Sequence, residues 1–504
     1  MCSSDLTFRG RSFWRHRQDL GGGWQARGTA GWISDMNFLE EYYEAEWEEG
    51  YEQRTWLDLR RPIDNRELRL LTSVRVNPFF TQTEWWPRLD HYYMGQPLLR
   101  DALTWYEHSN VAYAKQGLPQ TPTVGQGRNI WTLLPYESNV IGQRLATRHE
   151  IDLPFQAGAV KIVPYALGEL ANWGQDLTQS PINRAYGQVG IRSSLPMWSV
   201  DDTVESQLWN VHGIAHKVVW EAEFAYTDAT QTVQQFPLYD QLDDDAINQY
   251  RRNIPYWDFG AVPGQATPLG QPFIFGPQNK YDPRTYAVRR GLAGWVTGPT
   301  EIANNLSVFR LGARQRWQTK RGPMGNRRII DWITLDIDGE LFPIASQNFG
   351  AAMGLWQYDF RWHVGDRTTL LSSGDVDFFA GGQQLWTVGA LLNRTPRGSF
   401  YLGFNEFGGP IQASVLTGSY TYRMSPKWAS SFGGAIDLTG RNIGQNFQLV
   451  RIGESFLMTF GFNVDYSRNN VGVTFNLEPR FLSRTQFASR TGLDVPIAGA
   501  YGLE

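Results

Sequence analysis

The sequence predicts an all-β fold, a large antiparallel transmembrane β-barrel. Apolar and polar residues alternate in many segments, which is the period of a β-strand. The chain is also 14% aromatic with 21 Trp, yet its mean hydropathy is only -0.41. A barrel reconciles the two, because its strands need apolar residues only at alternate positions. Strand and turn spacing predicts roughly 20 or more strands in this fragment, with short turns alternating with longer loops.

The clearest strands form a predicted hairpin near the carboxyl end. In SFLMTFGFNVDY, one face carries Phe456, Met458, Phe460, Phe462, Val464 and Tyr466, and the other carries Leu457, Thr459, Gly461, Asn463 and Asp465. After SRNN, whose asparagines suit a tight turn, the residues Val471, Val473, Phe475 and Leu477 alternate with Gly472, Thr474, Asn476 and Glu478. Period-two alternation on both sides of a short turn predicts two antiparallel strands.

Upstream segments repeat this pattern. Trp356, Tyr358, Phe360, Trp362 and Val364 alternate with Gln357, Asp359, Arg361 and His363. Further strands are predicted at 186–195, 217–227, 333–341, 386–393, 400–405 and 428–438. Alternation alone fits a soluble sandwich as well as a barrel. Aromatic residues at strand ends, such as Trp386 and Trp428, and small or polar residues on the other face favour a barrel whose apolar face contacts lipid.

Two segments depart from the strand pattern. Residues 228–307 are rich in Pro and Gly, with an acidic run at Asp243, Asp244 and Asp245 and a possible short helix from Asn248 to Arg252. A loop this long is unusual unless it is functional, and we predict one large external insertion that covers the mouth or enters the lumen. In NFLEEYYEAEWEEGYEQ, a stripe of Phe38, Leu39, Tyr42, Tyr43 and Trp47 predicts a short helix.

Charge and motif composition exclude several functions. With 46 basic and 50 acidic residues the net charge is -4, so nucleic acid is not an expected partner. No apolar run is long enough for a membrane-spanning helix. His212 and His216 in HGIAH have a spacing that suits zinc on a helix, but Gly213 replaces the Glu of a zincin and the neighbouring pattern is that of a strand. We predict no catalytic residue, metal or cofactor.

A row of carboxylates marks a predicted polar wall. In DIDGE, Asp336, Asp338 and Glu340 share one face of a strand, opposite Ile333, Leu335, Ile337 and Leu341. A cation could bind there, but arginines 310, 314 and 316 on the preceding strand favour ion pairs along a lumen wall. The whole predicted lumen-facing path consists of Asp336, Asp338, Glu340, Arg361, Asn463, Asp465, Asn476 and Glu478.

Several blocks of the chain resemble a known family. They are GWISDMNFLEEYYEAEWEEGYEQ, LPFQAGAVKIVPYALGELANWGQD, INRAYGQVGIRSSLPMW and RIGESFLMTFGFNVDYSRNNVGVTFNLEPRF. In this order they resemble the carboxy-terminal barrel of the LptD family, the lipopolysaccharide-assembly or organic-solvent-tolerance proteins, from near residue 20 to near residue 482. The resemblance implies a barrel in the outer membrane of a Gram-negative-type bacterium that inserts lipopolysaccharide, or a related glycolipid, into the outer leaflet.

The resemblance also implies partners and a seam. An LptE-like lipoprotein would plug the lumen, a periplasmic LptA-like bridge would deliver the lipid, and the barrel would contact outer-membrane lipid. The lipid would leave between the first and last strands; the last strand is Val471, Val473, Phe475 and Leu477 with Pro479 beyond it, although Pro479 also suits ordinary strand termination. The family's jellyroll domain and a cysteine pair are both missing from this sequence.

The first six residues, MCSSDL, match the translated end of a sequencing adapter, so residues 1–6 are interpreted as an artefact and a signal peptide as lost by truncation. We predict a barrel over residues 7–482 and a tail over 483–504. The alternatives are a general outer-membrane porin or channel, a soluble all-β carbohydrate-active protein that uses its Trp residues as stacking platforms, or an outer-membrane enzyme.

Overall fold

The computed structural model describes residues 9–35, 38–43, 46, 53–79, 81–118, 136–240, 242, 283–291, 294–323, 325–394, 397–409, 412–438, 441–465 and 470–479. Its 22 strands form one antiparallel sheet. The first eleven are β1 Arg11–Gly21, β2 Trp24–Ile33, β3 Thr55–Ile63, β4 Arg66–Val74, β5 Gln82–Leu98, β6 Leu103–Gly117, β7 Val140–Asp152, β8 Phe155–Ala157, β9 Val160–Trp173, β10 Ile182–Ser206 and β11 Val211–Ala229.

The remaining strands are β12 Leu306–Arg321, β13 Arg328–Leu341, β14 Met353–His363, β15 Thr368–Asp377, β16 Gln384–Arg394, β17 Gly398–Gly408, β18 Ala413–Ser425, β19 Trp428–Asp437, β20 Arg441–Ile452, β21 Phe456–Asp465 and β22 Asn470–Pro479. Helices are few: α1 Phe38–Tyr42, α2 Pro283–Arg289 and short 3-10 turns at Val233–Gln235, Thr300–Ile302 and Ala345–Asn348. Within the described ranges, no helix has the length and apolar character of a membrane span.

The predicted all-β antiparallel fold is confirmed. Every strand predicted from alternation coincides with an observed strand, although Val364 and Leu438 each lie one residue beyond the end of theirs. The carboxy-terminal hairpin is β21 paired with β22, where Phe460 faces Phe475 and Asn463 faces Gly472. Connection lengths alternate as expected: two residues join β1 to β2 and β3 to β4, whereas residues 230–305 separate β11 from β12. The short helix in the acidic, aromatic segment is α1, although Trp47 lies outside the described residues.

The chain divides into two compact units. The first unit comprises residues 1–194, 221–310 and 340–354, and the second comprises residues 195–220, 311–339 and 355–504. The main apolar cluster of the first unit joins strand residues such as Trp85 and Trp173 to Phe236 and Tyr239 from the connection after β11. In the second unit, a smaller cluster contains Ala429, Val450, Ile452 and Leu457.

The sheet exposes apolar side chains in both units, and in the first unit it buries charged side chains on the opposite face. On β7, Ile141, Leu145 and Ile151 are 43%, 40% and 44% exposed, whereas Arg144 and Arg148 on the opposite face are 0% and 2% exposed. In the second unit, Phe460 on β21 and Val473 on β22 are 47% and 81% exposed. Exposing such an apolar face to water is unfavourable, whereas exposing it to lipid is not. The charges on the buried face require oppositely charged partners.

The long connection between β11 and β12 carries most of the insertion that the sequence predicts for residues 228–307. Its described parts, residues 230–240, 242, 283–291 and 294–305, are called the inserted segment below. The inserted segment packs on the buried polar face of the first unit, where Asp240 contacts Arg144 on β7 and Gln116 Nε2 on β6 donates to Leu238 O at 2.8 Å. The buried charged side chains of this face, including Arg88, Arg144, Arg148 and Arg184, are called the charged wall below. They need counter-charges, and the inserted segment supplies them.

Some predictions fall outside the described residues. These are the artefact at residues 1–6, the acidic run Asp243 to Asp245, the helix Asn248 to Arg252, Tyr466, and the tail 483–504.

Candidate functional site

Charged side chains recur at every second position of adjacent strands in the first unit. On β7, Arg144, Arg148 and Glu150 all lie on the buried face, because strand residues two apart share a face. On β5, Arg88 and Asp90 occupy the corresponding face. Buried arginines and carboxylates are stable only when paired. The polar face is therefore built to bind another polar element.

Arg144 joins the wall to the inserted segment. Its guanidinium pairs with Asp240, and its Nε lies 3.0 Å from Glu301 Oε1. Arg88 Nη1 on β5 reaches Asp240 Oδ1 at 2.5 Å and its Nε contacts Asp90 at 2.9 Å. Asp240 therefore bridges two strands, with both partner arginines at least nine-tenths buried.

A second charged group lies around Glu169 on β9. Arg148 and Arg184 each donate to a different oxygen of Glu169, at 2.5 Å. Arg184 also donates to the carbonyl of Thr300, and Arg148 Nη1 donates to Trp295 O at 2.8 Å. The wall arginines therefore bind backbone carbonyls of the inserted segment as well as its carboxylates.

A third group surrounds Arg192 on β10. Its Nη1 donates to Glu150 Oε1 at 2.7 Å and its Nε to Glu223 Oε1 at 3.2 Å. Glu223 also accepts from Arg310 Nη1 at 3.0 Å. The Arg192 guanidinium lies 4.4 Å from the ring centre of Trp295, so the inserted segment closes this group by a cation–π contact.

Apolar packing complements these polar contacts. Phe236 of the inserted segment lies with its ring centre 4.3 Å from that of Trp173, and Tyr239 lies 6.1 Å from Trp85. Trp173 Nε1 donates to Glu301 Oε1 at 3.3 Å. The segment thus combines buried rings, which contribute by area and ring geometry, with charge-assisted hydrogen bonds.

The carboxylates of the inserted segment have shifted pKa values of opposite sign. Burial alone would raise the pKa of Asp240, but Arg144 and Arg88 outweigh burial and lower it. Burial raises the pKa of Glu301, and Arg144 only partly offsets this effect. Arg88 and Arg144 face three carboxylates, Asp90, Asp240 and Glu301, and His108 Nε2 lies 2.9 Å from Asp90 Oδ1 in the same group.

These shifts predict that docking of the inserted segment is strongest at mildly acidic pH. The contribution of Asp240 exists above its ordinary pKa of 3.8 and is lost as the pH falls further. The contribution of protonated Glu301 exists below its ordinary pKa of 4.5 and is lost as the pH rises through its raised value. A nitroxide on Thr232→Cys should be least mobile near about pH 5, as measured by electron paramagnetic resonance. Mobility that only increases, or only decreases, from pH 3 to pH 8 would contradict this assignment.

The predicted lumen-facing path contains ion pairs in the second unit. Arg314 donates to both oxygens of Asp338 at 2.7 Å, and Arg316 contacts Asp336 at 2.6 and 2.8 Å. Arg361 pairs with Asp359 on its own strand at 2.9 Å. These carboxylates therefore have arginine partners, as on a charged wall.

Glu340, in the first unit, has a partner that the sequence did not indicate. It is 1% exposed and accepts from Arg290 Nη1 at 3.3 Å, whereas Arg310 binds Glu223 instead. The sequence could not indicate this ion pair, because Arg290 follows α2 in the inserted segment and belongs to no strand pattern. Among the described residues, no cluster of His, Cys, Asp and Glu could hold a metal ion.

The other predicted path residues lie on β21 and β22. The side chain of Asn463 lies over Gly472, and Asn476 Nδ2 donates to Glu478 Oε1 at 2.7 Å. Asp465 pairs through its backbone with Asn470. In the described part of the second unit, no hydrogen bond joins these residues to Asp336 or Asp338. The seam residues Val471, Val473, Phe475 and Leu477 are exposed, and Pro479 pairs with Phe456 at the end of β22.

The histidines of HGIAH lie on β11, as the neighbouring strand pattern indicates. His212 Nδ1 contacts Glu205 Oε2 at 2.5 Å, and the His216 ring stacks on Trp317 with centres 4.5 Å apart. Each imidazole therefore has its own polar or aromatic neighbour in place of a shared ligand.

No family model and no curated protein matches this chain. Among solved structures, it is similar to a mutant of the ferric enterobactin receptor PfeA from Pseudomonas aeruginosa in complex with enterobactin, at 8% identity and TM-score 0.36, over 93% of this chain and 72% of the receptor chain. A mutant of the Rh. blastica porin matches at 10% identity and TM-score 0.25, over 74% and 98% of the two chains. The KdgM porin matches at 10% identity and TM-score 0.17, over 34% of this chain and 94% of the porin chain. TM-scores this low support no argument about function.

The class of the protein follows from its own fold. In the described residues, one antiparallel sheet of 22 strands exposes apolar side chains in both units and buries paired charges in the first, which defines an outer-membrane β-barrel protein. Its location is the outer membrane.

Proposed function

We propose that this barrel transports lipopolysaccharide, or a related glycolipid, into the outer leaflet, as the resemblance to the LptD family implies. The observation that carries the proposal is the inserted segment bound to a charged wall in a sheet of 22 strands. Barrels of 16 to 18 strands serve as open porins, and larger ones with about 22 strands have an obstructed lumen. A large, partly filled barrel suits a bulky substrate whose passage is controlled.

The inserted segment supports controlled passage rather than free diffusion. Its contacts to β5, β7 and β10 involve buried arginines, whose pairs are expensive to break one partner at a time. Gln116 on β6 and Trp173 on β9 add hydrogen bonds to it. A polar face of paired charges can accommodate the phosphate and sugar groups of a glycolipid, while the exposed apolar face contacts membrane lipid. An LptE-like lipoprotein and a periplasmic LptA-like bridge are the partners proposed with this function, and the edge of β22 is the proposed exit.

A diffusion channel is the second candidate, because one observation favours it. The ion pairs Arg314–Asp338 and Arg316–Asp336 in the second unit are about one-third exposed. Charged side chains that contact water line the pores of porins. In such a channel these four residues would set charge selectivity.

The two functions make different predictions in cells depleted of this protein. We expect lipopolysaccharide that is accessible to a membrane-impermeant label to fall several-fold before cell growth stops, while total lipopolysaccharide does not fall. Re-expression of the full-length gene should restore labelling. Normal labelling together with slower uptake of small hydrophilic solutes would contradict lipid transport and support the diffusion channel.

A further inference from the structure

The exposed face of β5, β6 and β7 contains polar residues between two apolar rows. In the row nearer the long loops, Leu89, Val111 and Leu145 face one another across the strands and are 41%, 59% and 40% exposed. On the other side, Ile151 and Val189 are 44% and 55% exposed. This surface contacts lipid, where isolated polar groups are costly. Polar residues within it therefore require an explanation.

Two successive rows on this face carry the polar residues. The first row joins His91 to Ser109 and Ser109 to Thr147, and the second joins Glu107 to His149. We call these residues, together with Trp105, the exterior patch. Its members are His91, Trp105, Glu107, Ser109, Thr147 and His149.

The exterior patch is ordered by hydrogen bonds among its own members. His91 Nδ1 lies 2.8 Å from Glu107 Oε2, and Ser109 Oγ lies 2.7 Å from Thr147 Oγ1. Trp105 Nε1 donates to His149 Nδ1 at 3.3 Å. The proton of the neutral His149 ring is therefore on Nε2, which donates to Thr147 Oγ1. Each bond lowers the cost of polar groups beside lipid and holds the side chains in a defined arrangement.

Beside the exterior patch, the same rows continue onto a shelf of small residues. His149 faces Gly168, Gly168 faces Gly187, and Leu170 faces Ala185. A methyl group added to either glycine would have no neighbour within 4 Å. Glycine at such positions leaves room for a ligand to approach the backbone.

A pair of amides borders this shelf. Asn172 Nδ2 donates to Asn183 Oδ1 at 2.7 Å, and in the described part of the chain Asn172 Oδ1 and Asn183 Nδ2 have no hydrogen-bond partner. A shallow cavity of about 590 Å³ includes both asparagines together with Ser109, Thr147 and Thr230, with Leu170 among its apolar lining. The surface of this cavity is mostly apolar, and the amides and hydroxyls contribute its smaller polar part.

The charges of this surface select the chemistry of an occupant. No lysine or arginine belongs to the exterior patch, so the patch offers a phosphate no fixed cation, and its carboxylate, Glu107, is only 4% exposed. Hydroxyl groups, in contrast, can both donate to a carboxylate or imidazole and accept from amides. Tyr93, whose ring centre lies 5.1 Å from that of Trp105 with the planes tilted by 31°, adds a second aromatic ring that a sugar can contact.

We propose that the exterior patch and the adjoining shelf bind an uncharged sugar headgroup of a membrane lipid, with the acyl chains along the neighbouring apolar rows. This site lies on the membrane-facing side, away from the buried charged wall, and does not depend on the proposed transport function. It would hold a resident lipid against the barrel.

Native mass spectrometry of the purified full chain tests this proposal directly. The probes are monoglucosyl diacylglycerol and phosphatidylcholine with the same acyl chains, added together at equal concentration. We expect the protein to retain the glucosyl lipid about fivefold more than the choline lipid, the preference that one or two hydrogen bonds supply. Thr147→Val, which keeps side-chain volume, and Trp105→Leu should each reduce this preference toward one.

Leu57→Ala on β3 serves as the matched control, because Leu57 is a similarly exposed apolar residue (51%) that belongs neither to the exterior patch nor to the apolar rows beside it, and this variant should keep the preference. Heat-modifiable gel mobility of each variant verifies that the barrel has folded. Equal retention of the two lipids by the unaltered protein would overturn the proposal. So would a pair of copies that dissociates in Thr147→Val while lipid retention is unchanged, since the exterior patch would then be a protein interface.

Discussion

Replacing Arg144 by methionine is expected to lower the free energy of unfolding by about 3–5 kcal/mol, the cost of leaving buried carboxylates without their cation. Arg144 is 0% exposed and contacts both Asp240 and Glu301. Methionine fills much of the space but supplies no charge. The free energy is measured by urea titration of the protein in lipid vesicles, followed by tryptophan fluorescence.

The matched control is Arg361→Met, since Arg361 also pairs with an aspartate but is 57% exposed. Exposed pairs contribute only about 0–1 kcal/mol, so this variant should unfold almost as the unaltered protein does. Equal losses in the two variants would contradict the role of Arg144 as the anchor of the inserted segment.

Phe460→Arg on β21 should destabilise the barrel by about 2–4 kcal/mol if this position lies near the bilayer midplane. Phe460 is 47% exposed and contacts Phe475 on β22, with ring centres 5.1 Å apart. The variant loses this contact and places a guanidinium in lipid. The same urea titration measures the effect, and Phe462→Arg provides an independent second position.

Asn476→Arg is the control for this substitution, because Asn476 lies on the opposite, polar face of the same hairpin. An arginine there should cost less than about 1 kcal/mol, because it can reach water. A larger loss for Asn476→Arg than for Phe460→Arg would mean that the two faces are assigned in reverse.

The strands and their faces could be predicted because each depends on local alternation. In β21 and β22, one exposed face carries Phe456, Met458, Phe460, Phe462, Val471, Val473, Phe475 and Leu477, whereas Leu457 lies buried on the other face. An alternation of apolar and polar residues can be recognised within a single strand, without information about distant residues. The same reasoning placed Asp336 and Asp338 opposite arginines on the preceding strand, where the structure has ion pairs.

The buried charged wall could not be predicted in this way. Asp240 and Glu301 lie in a segment with no strand period, and Asp240 is 96 residues from Arg144. Only the fold brings them together. One local signal was nevertheless present, since Arg144, Arg148 and Glu150 on β7 share a face whose charges need partners from elsewhere. The exterior patch was also missed, because Ser109 and Thr147 appear as ordinary polar positions until strand register aligns them.

Site-directed labelling along β22 tests most directly whether the exposed apolar face of the sheet contacts lipid. Single cysteines replace Val473, Thr474, Phe475 and Asn476 in turn, in a chain whose single cysteine, Cys2, is changed to Ser. We predict that Val473→Cys and Phe475→Cys carry labels quenched by brominated lipid, whereas Thr474→Cys and Asn476→Cys react with a water-soluble maleimide. The opposite alternation, or no alternation, would contradict an apolar face that contacts lipid.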